Sequence, residues 1–493
     1  MLYIFPIEVK YRDLDSRLRI ALELAKKGHQ SVIGNRSTTE SIATLKNLAS
    51  VYFSLILNSD SVEFYKKIKS TGSVMVSLDE ENSINLLNNS MDWFLYHRYE
   101  KESLLYTSLI FFWGERTQQK ILEKQSWFNP DQTEVVGNVR FDLRHPKYND
   151  FYRSLFKHNN HVKNGYVLIN TAFGPINNVL KGDLWMQKGI RLAKTDNIVD
   201  KLTNKKCYQT LVFSHLISAL KRLLEEYPQV DFVLRPHPIE QQLTYEKLFG
   251  HFSNFHIIRE GVAHQWIVDS IAVIHHDCTT GLEAFFNMKN VFSFAPLFDP
   301  TIARDFNLLS GEVIKTEDEL VTRLGDVIRE QEASQQQTPK KDFHHDSYEK
   351  EKKQLLKPMI ANVDEPALAK IVKTIYKHQQ KWFDPLKDKI LQLSDLNKLN
   401  AIDEPRKTNP WLLCKQTAGT LFRRIKNTLI NGIYPDRKST LTYRSLKMTA
   451  ISREEIQGYI EGFRLIDPEI PRMQVEEISV NSYLLTPKDD KNT

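Results

Sequence analysis

Short apolar runs alternate with helix-length amphipathic segments through roughly the first 300 residues. LYIFPIEV at 2–9 reads as a buried strand. A polar turn follows, then Leu14, Leu18, Ala21, Leu22 and Ala25 recur at helical spacing up to Gly28. SVIG (31–34), VYFSLIL (51–57), SVMVSLD (73–79), SLIFFWG (108–114) and EVVGN (134–138) continue the series as strands, with helix-length segments between them. A second series opens at NGYVLINT (164–171). It runs through a polar stretch (174–208) and an amphipathic helix (209–227) to the strands DFVLR, FHIIRE, IAVIHH and VFSF. This is the pattern of βαβ units on parallel sheets. The expected fold is α/β, with two Rossmann-like domains, 1–145 and 146–330, facing each other across a cleft. Residues 331–382 read as an exposed linker rich in Gln, Lys, Asp and His (331–356) followed by a crossing helix (365–379). The alternation stops in 383–493, a basic, mostly helical extension whose role the pattern leaves unassigned.

Composition narrows the class. A chain of 493 residues with 41% hydrophobic and 26% charged residues has room for two or three cored domains. No apolar run approaches the ~20 residues of a bilayer span. The segment MLYIFPIEVKYRD lacks a basic n-region and a cleavage site, so no signal peptide is expected and a cytoplasmic location is. Cys207, Cys278 and Cys414 lie far apart, which fits a reducing compartment and argues against a disulfide framework or structural zinc. A net charge of +6 does not imply nucleic acid.

The candidate chemistry sits where strands end. In open parallel sheets the carboxyl ends of the strands form the ligand crevice. Arg235, His237 and Pro238 lie in one polar cluster there, and the prolines force the strand to stop. Thr279, Thr280, Gly281 and Glu283 open a helix after a second strand, and a helix start with hydroxyl residues suits a phosphate. These clusters are expected to hold the phosphate and ribose of a nucleotide-activated sugar, with Glu283 accepting from the ribose. Thr280 and Glu283 also have capping-box spacing, which explains both without a ligand. His275 and His276 are neighbours on a strand and point to opposite faces, so one core and one rim histidine are expected, and no metal.

Glu8, Asp79 and Glu80 follow strands of the first half and are the candidate catalytic carboxylates, with Glu8 first choice to handle an acceptor hydroxyl. Asp13 is expected to cap the next helix. Arg12, Asn138, Arg140, Asp142 and Asn170 fall at the inter-domain seam, where they would either touch ligand or bond to one another across the hinge. No Walker A loop, GxGxxG or GxSxG motif supports an NTPase, dehydrogenase or hydrolase.

Several stretches together resemble the bacterial surface carbohydrate biosynthesis proteins of capsule and O-antigen assembly. They are IFPIEVKYRDLDSRLRIALELAKKGHQSVIG, VSLDEEN, VVGNVRFDL, YVLINTAFG, FVLRPHP and DCTTGLEAFFNMKNVFSF. The resemblance covers residues 2–300 and implies a glycosyltransferase of the GT-B architecture. The His-Pro and hydroxyl-pair elements also resemble those of CMP-sugar-using sialyl- and Kdo-transferases. That likeness implies that His237, Thr279 and Thr280 hold cytidine monophosphate, with Thr-Thr replacing the commoner Ser-containing pair. The expected function is transfer of Kdo or another ulosonic acid from a CMP donor to a surface polysaccharide, without metal or cofactor. The expected acceptor is a glycan or lipid-linked glycan, and the basic helix between Arg423 and Lys447 would touch the inner membrane face. Two other readings stay open: another GT-B enzyme (UDP-sugar transferase, epimerase or polyol-phosphate transferase), and a non-catalytic assembly protein.

Overall fold

In a computed structural model, the described residues are 1–45, 48–58, 61–80, 98–155, 165–179, 198–299, 305–334, 343–382 and 449–488, with a few isolated positions between them. The expected basic membrane-contact segment lies outside the described residues.

Two sheets carry the chain. The first lobe contains β1 (Leu2–Ile7), β2 (Gln30–Asn35), β3 (Ser50–Ser54), β4 (Val74–Leu78), β5 (Leu109–Phe112) and β6 (Thr133–Val135), all parallel, in the order β2-β1-β3-β4-β5-β6. The second contains β7 (Tyr166–Asn170), β8 (Phe232–Arg235), β9 (Phe255–Ile257), β10 (Ser270–His275), β11 (Asn290–Phe294) and β12 (Glu312–Ile314). These are also parallel, in the order β12-β11-β10-β7-β8-β9. Helices cover both faces of each sheet, so the strands read as continuous apolar runs rather than alternating ones. Each order reverses direction beside its first strand, which places a crevice at the carboxyl ends of β1/β3 and of β7/β10. The α/β, two-lobed architecture expected from the pattern is the one present.

Three elements depart from the expected layout. The helix expected at 209–227 runs over Ile198–Glu226, taking in part of the polar stretch. The linker expected at 331–356 contains a helix, Phe343–Leu356, whose Leu356 is buried against Trp113 and Phe141. Within the extension, the helix Arg453–Ile466 and the strands β13 (Met473–Ser479) and β14 (Ser482–Pro487) return to the first lobe. There β14 pairs antiparallel with β2, giving an eight-stranded sheet. Tyr459, Phe463, Val475 and Leu485 enter the same core as Phe5, Leu18 and Phe53. The helix Ala367–Trp382 also packs into that core, through Ile371 and Ile375.

Candidate functional site

The second lobe's crevice is built around Asn170. It ends β7 and lies level with His275 on β10 and Arg235 on β8. Its amide nitrogen is buried without a hydrogen-bond partner. Beside it, the Arg235 guanidinium donates to the carbonyls of Glu260 (2.6 Å) and Gly261 (2.9 Å) and lies over Trp266. These bonds tie Arg235 to the 259–261 loop. The expected phosphate contact would have to share its donors with them.

His237 is exposed just past β8, and its Nδ1 accepts from the Ile239 N–H at 3.3 Å. This bond places the ring proton on Nε2. Pro238 is exposed beside it. The loop is anchored by Glu240, which is fully buried. Its carboxylate accepts from the N–H groups of His237 (3.2 Å) and Phe173 (2.9 Å), from Thr171 Oγ1 and from the Tyr245 hydroxyl. Burial raises its pKa against these donors. Glu240 thereby fixes the loops after β7 and β8 to each other. The sequence reading passed over it, although it is the only carboxylate within five residues of the His-Pro pair.

The loop after β10 differs from expectation in detail. Both histidines are buried, where one core and one rim residue were expected. His275 Nε2 meets the hydroxyls of Ser293 (2.9 Å) and Ser310 (3.2 Å), and burial pushes its pKa down to about 3. His276 Nδ1 donates to the Phe294 carbonyl at 2.8 Å. Gly281 is required for packing. A Cβ there would stand 2.3 Å from His275 Nε2 and 2.4 Å from Ser310 Oγ. Thr279 and Thr280 are partly exposed at the start of the helix Thr280–Phe286. Thr280 Oγ1 lies 3.0 Å from Cys278 Sγ. The capping box suggested by Thr280 and Glu283 is not closed, because the Glu283 carboxylate faces the other lobe.

That carboxylate accepts from Arg144 Nε at 2.7 Å. The same guanidinium donates through Nη1 to Asp15 (2.9 Å) and to the Tyr152 hydroxyl (2.9 Å). All four groups are buried. Glu283, expected to accept from ribose, is therefore the second lobe's half of an inter-lobe ion pair.

On the first lobe, Asp13 caps its helix from within. Its carboxylate accepts from the N–H groups of Glu8 (3.0 Å) and Val9 (2.8 Å). Burial would raise its pKa, but Arg12 at 2.6 Å and the backbone bonds outweigh that and lower it. Glu8 is exposed, 4.0 Å from Arg12. Asp79 is buried in a two-pronged pair with Arg98. Asp142 accepts from the N–H groups of Ala367 (3.0 Å) and Leu368 (2.8 Å) and from Asn362 (2.6 Å), fastening the crossing helix. Burial raises its pKa to about 6.

Glu80 is the carboxylate around which the first lobe's edge is organised. It is buried, accepts from Asn138 Nδ2 at 2.7 Å and lies 3.3 Å from Arg17 Nη2. Burial raises its pKa more than Arg17 lowers it. Asn138 Oδ1 accepts from the Arg140 N–H at 2.8 Å, so the residues of GNVRFD hold Glu80 and Arg140 together. Arg140 lies over the rings of Phe141 (4.9 Å) and Trp113 (5.7 Å). Phe141 packs on Phe286 of the Thr280–Phe286 helix, with ring centroids 5.4 Å apart. The edge that carries Glu80 therefore meets the C-terminal end of that helix. Arg17 and Arg144 were missed because nothing in their local sequence distinguishes a buried partner from a surface charge.

No protein-family model and no curated protein matches this chain. Solved structures do. A UDP-GlcNAc 2-epimerase from Neisseria meningitidis bound to UDP-GlcNAc matches at 13% identity and TM-score 0.43, over 76% of this chain and 99% of that one. A UDP-GlcNAc 2-epimerase from Methanocaldococcus jannaschii matches at 10% identity and TM-score 0.45, over 76% and 100%. The wall teichoic acid polymerase TagF matches at 10% identity and TM-score 0.44, over 78% and 90%.

Proposed function

We propose that this protein is a glycosyltransferase that moves a sugar from a nucleotide-activated donor to an acceptor hydroxyl held at the lobe seam. The observation that carries this reading is Glu80. It is a buried carboxylate with a raised pKa, fixed by Asn138 and Arg17, at the carboxyl edge of one sheet. The Phe141–Phe286 contact joins that edge to the helix that Thr279 and Thr280 open. Glu80 takes the proton of the acceptor hydroxyl as its oxygen bonds to the anomeric carbon. The bond from that carbon to the donor phosphate breaks, and the nucleotide leaves with the electron pair. His237, through Nε2–H, and the two threonines at the helix mouth stabilise the charge on the departing phosphate. A raised pKa suits a base working near neutral pH. Glu80 is preferred to Glu8, which is exposed, and to Asp79, which Arg98 already holds. A CMP-activated ulosonic acid is the donor this reading names, resting on the His-Pro and Thr-Thr elements. A surface glycan or its lipid-linked precursor is the acceptor.

Glu80→Gln should lower turnover by about 10²–10⁴-fold, the range for loss of a general base, with nucleotide binding retained. The measurement is CMP released from a CMP-activated ulosonic acid in the presence of a glycan acceptor. Release of UDP from a UDP-sugar, or formation of an epimer, would overturn the donor assignment. Nucleotide binding with no turnover of any donor would favour an assembly protein.

A further inference from the structure

The seam carries two guanidiniums whose donors the protein does not fill. Arg17 is wholly buried. Its Nη2 reaches the Leu78 carbonyl (2.7 Å) and Glu80, but its Nε and Nη1 have no hydrogen-bond partner. Arg140 is 3% exposed, and its Nε and Nη2 have no partner either. Other carboxylates nearby are engaged: Asp13 by Arg12, Asp79 by Arg98, and Asp15 and Glu283 by Arg144. Among the described residues, Glu80 is the carboxylate that both buried cations act on. Removing a guanidinium from water without filling its N–H groups is costly, and aromatic faces return only part of that cost. Groups of this kind persist where something other than the folded chain completes them. The planar fork of a guanidinium matches the paired oxygens of a carboxylate or phosphoryl group.

We propose that Arg17 and Arg140 form an anion subsite beside Glu80 that takes a carboxylate or phosphoryl group of the acceptor or of the transferred sugar. The enzyme would thereby select charged saccharides over neutral ones. Its assignment to a sugar substrate rests on the transferase reading; the anion subsite itself does not. Neither arginine is among the residues assigned to the donor nucleotide. Asn138 couples the subsite to the base, since its side chain accepts from the Arg140 N–H and donates to Glu80. An anion seated between the arginines would draw their field away from Glu80 and leave its carboxylate the stronger base.

The test is calorimetry and thermal unfolding of the full chain with inorganic phosphate, glucose 6-phosphate, glucuronate and glucose, with and without CMP. Arg140→Met and Arg140→Lys are compared with the unmodified protein. At least one anion should bind and glucose should not. Arg140→Met should weaken that anion by about ten-fold or more, Arg140→Lys by less, with CMP affinity unchanged and the ligand-free melting temperature not lowered. Binding of the two phosphates alone would identify a phosphoryl group, and of glucuronate alone a carboxylate. Anion affinity unchanged in Arg140→Met would overturn the proposal. So would a lowered ligand-free melting temperature in a chain that binds none of the anions, because stacking on Phe141 and Trp113 would then be the guanidinium's whole role. Anion binding in a chain that binds no nucleotide would keep the subsite and remove the transferase reading.

Discussion

His264 is fully buried, edge-on to the Tyr152 ring at 4.5 Å between centroids, and neither ring nitrogen is hydrogen-bonded. Burial, with Arg144 and Lys289 nearby, pushes its pKa well below the usual 6.5. The folded chain keeps it neutral, whereas the unfolded chain takes up a proton near that value. Its contribution to stability is therefore complete above pH 6.5 and is lost as the pH falls below it. At pH 5.5 the loss is on the order of 1 kcal/mol. His275 acts in the same direction. Replacing His264 with Phe should reduce the drop in melting temperature between pH 7.5 and 5.5, and an undiminished drop would contradict this. Glu80 has the opposite sign. Its raised pKa means that its contribution is lost as the pH rises through the folded value. Glu80→Gln removes a carboxylate from beside the buried Arg17 guanidinium, so it should melt lower at pH 7.5, and an unchanged melting temperature would show that this pair adds nothing to stability.

At the scale of elements, the hairpin β13–β14 is held to β2 with almost no clearance. Ser482 lies opposite Gly34, and a Cβ on that glycine would stand 2.3 Å from Ser482 Oγ and 2.5 Å from its Cα. The Cα cannot swing away as a side chain can. Gly34→Ala should cost about 1–3 kcal/mol and open residues 473–488 to protease, as read by unfolding and limited proteolysis. Unchanged stability and cleavage would refute the tight fit. The same hairpin shows what the sequence concealed. Of strands β1 to β11, all but the edge strands β6 and β9 are buried on both faces, so LYIFPI and SIAVIH stand out as unbroken apolar runs. MQVEEIS is half exposed, and its hairpin partner SYLLTP pairs with β2, some 450 positions away, so neither pattern nor sequence neighbours announce the pair. The Phe343–Leu356 helix was taken for loop because it is polar. Glu, Lys and Gln are nevertheless good helix formers, and Leu356 provides an apolar anchor. At the site, strand ends were readable, which located Asn138, Asn170, His237 and Thr279. Ion-pair partners were not. Glu283 and Arg144 are 139 positions apart, and no local pattern encodes that pairing.

Across the whole molecule, Arg144 fastens one lobe to the other through Asp15 and Glu283. Arg144→Ala would leave two buried carboxylates without a cation. It should cost about 3–5 kcal/mol and widen the molecule in solution scattering. An unchanged melting temperature and scattering profile would remove that residue from the hinge. Both lobes direct the carboxyl ends of parallel strands toward charged clusters at this seam, and the proposed transfer requires a nucleotide to dock there. Calorimetric titration of the full chain with CMP, UMP and UDP tests that most directly. CMP should bind more tightly than UMP or UDP, and His237→Ala should weaken it by about ten- to a hundred-fold. Failure of all three nucleotides to bind would contradict the proposed transfer.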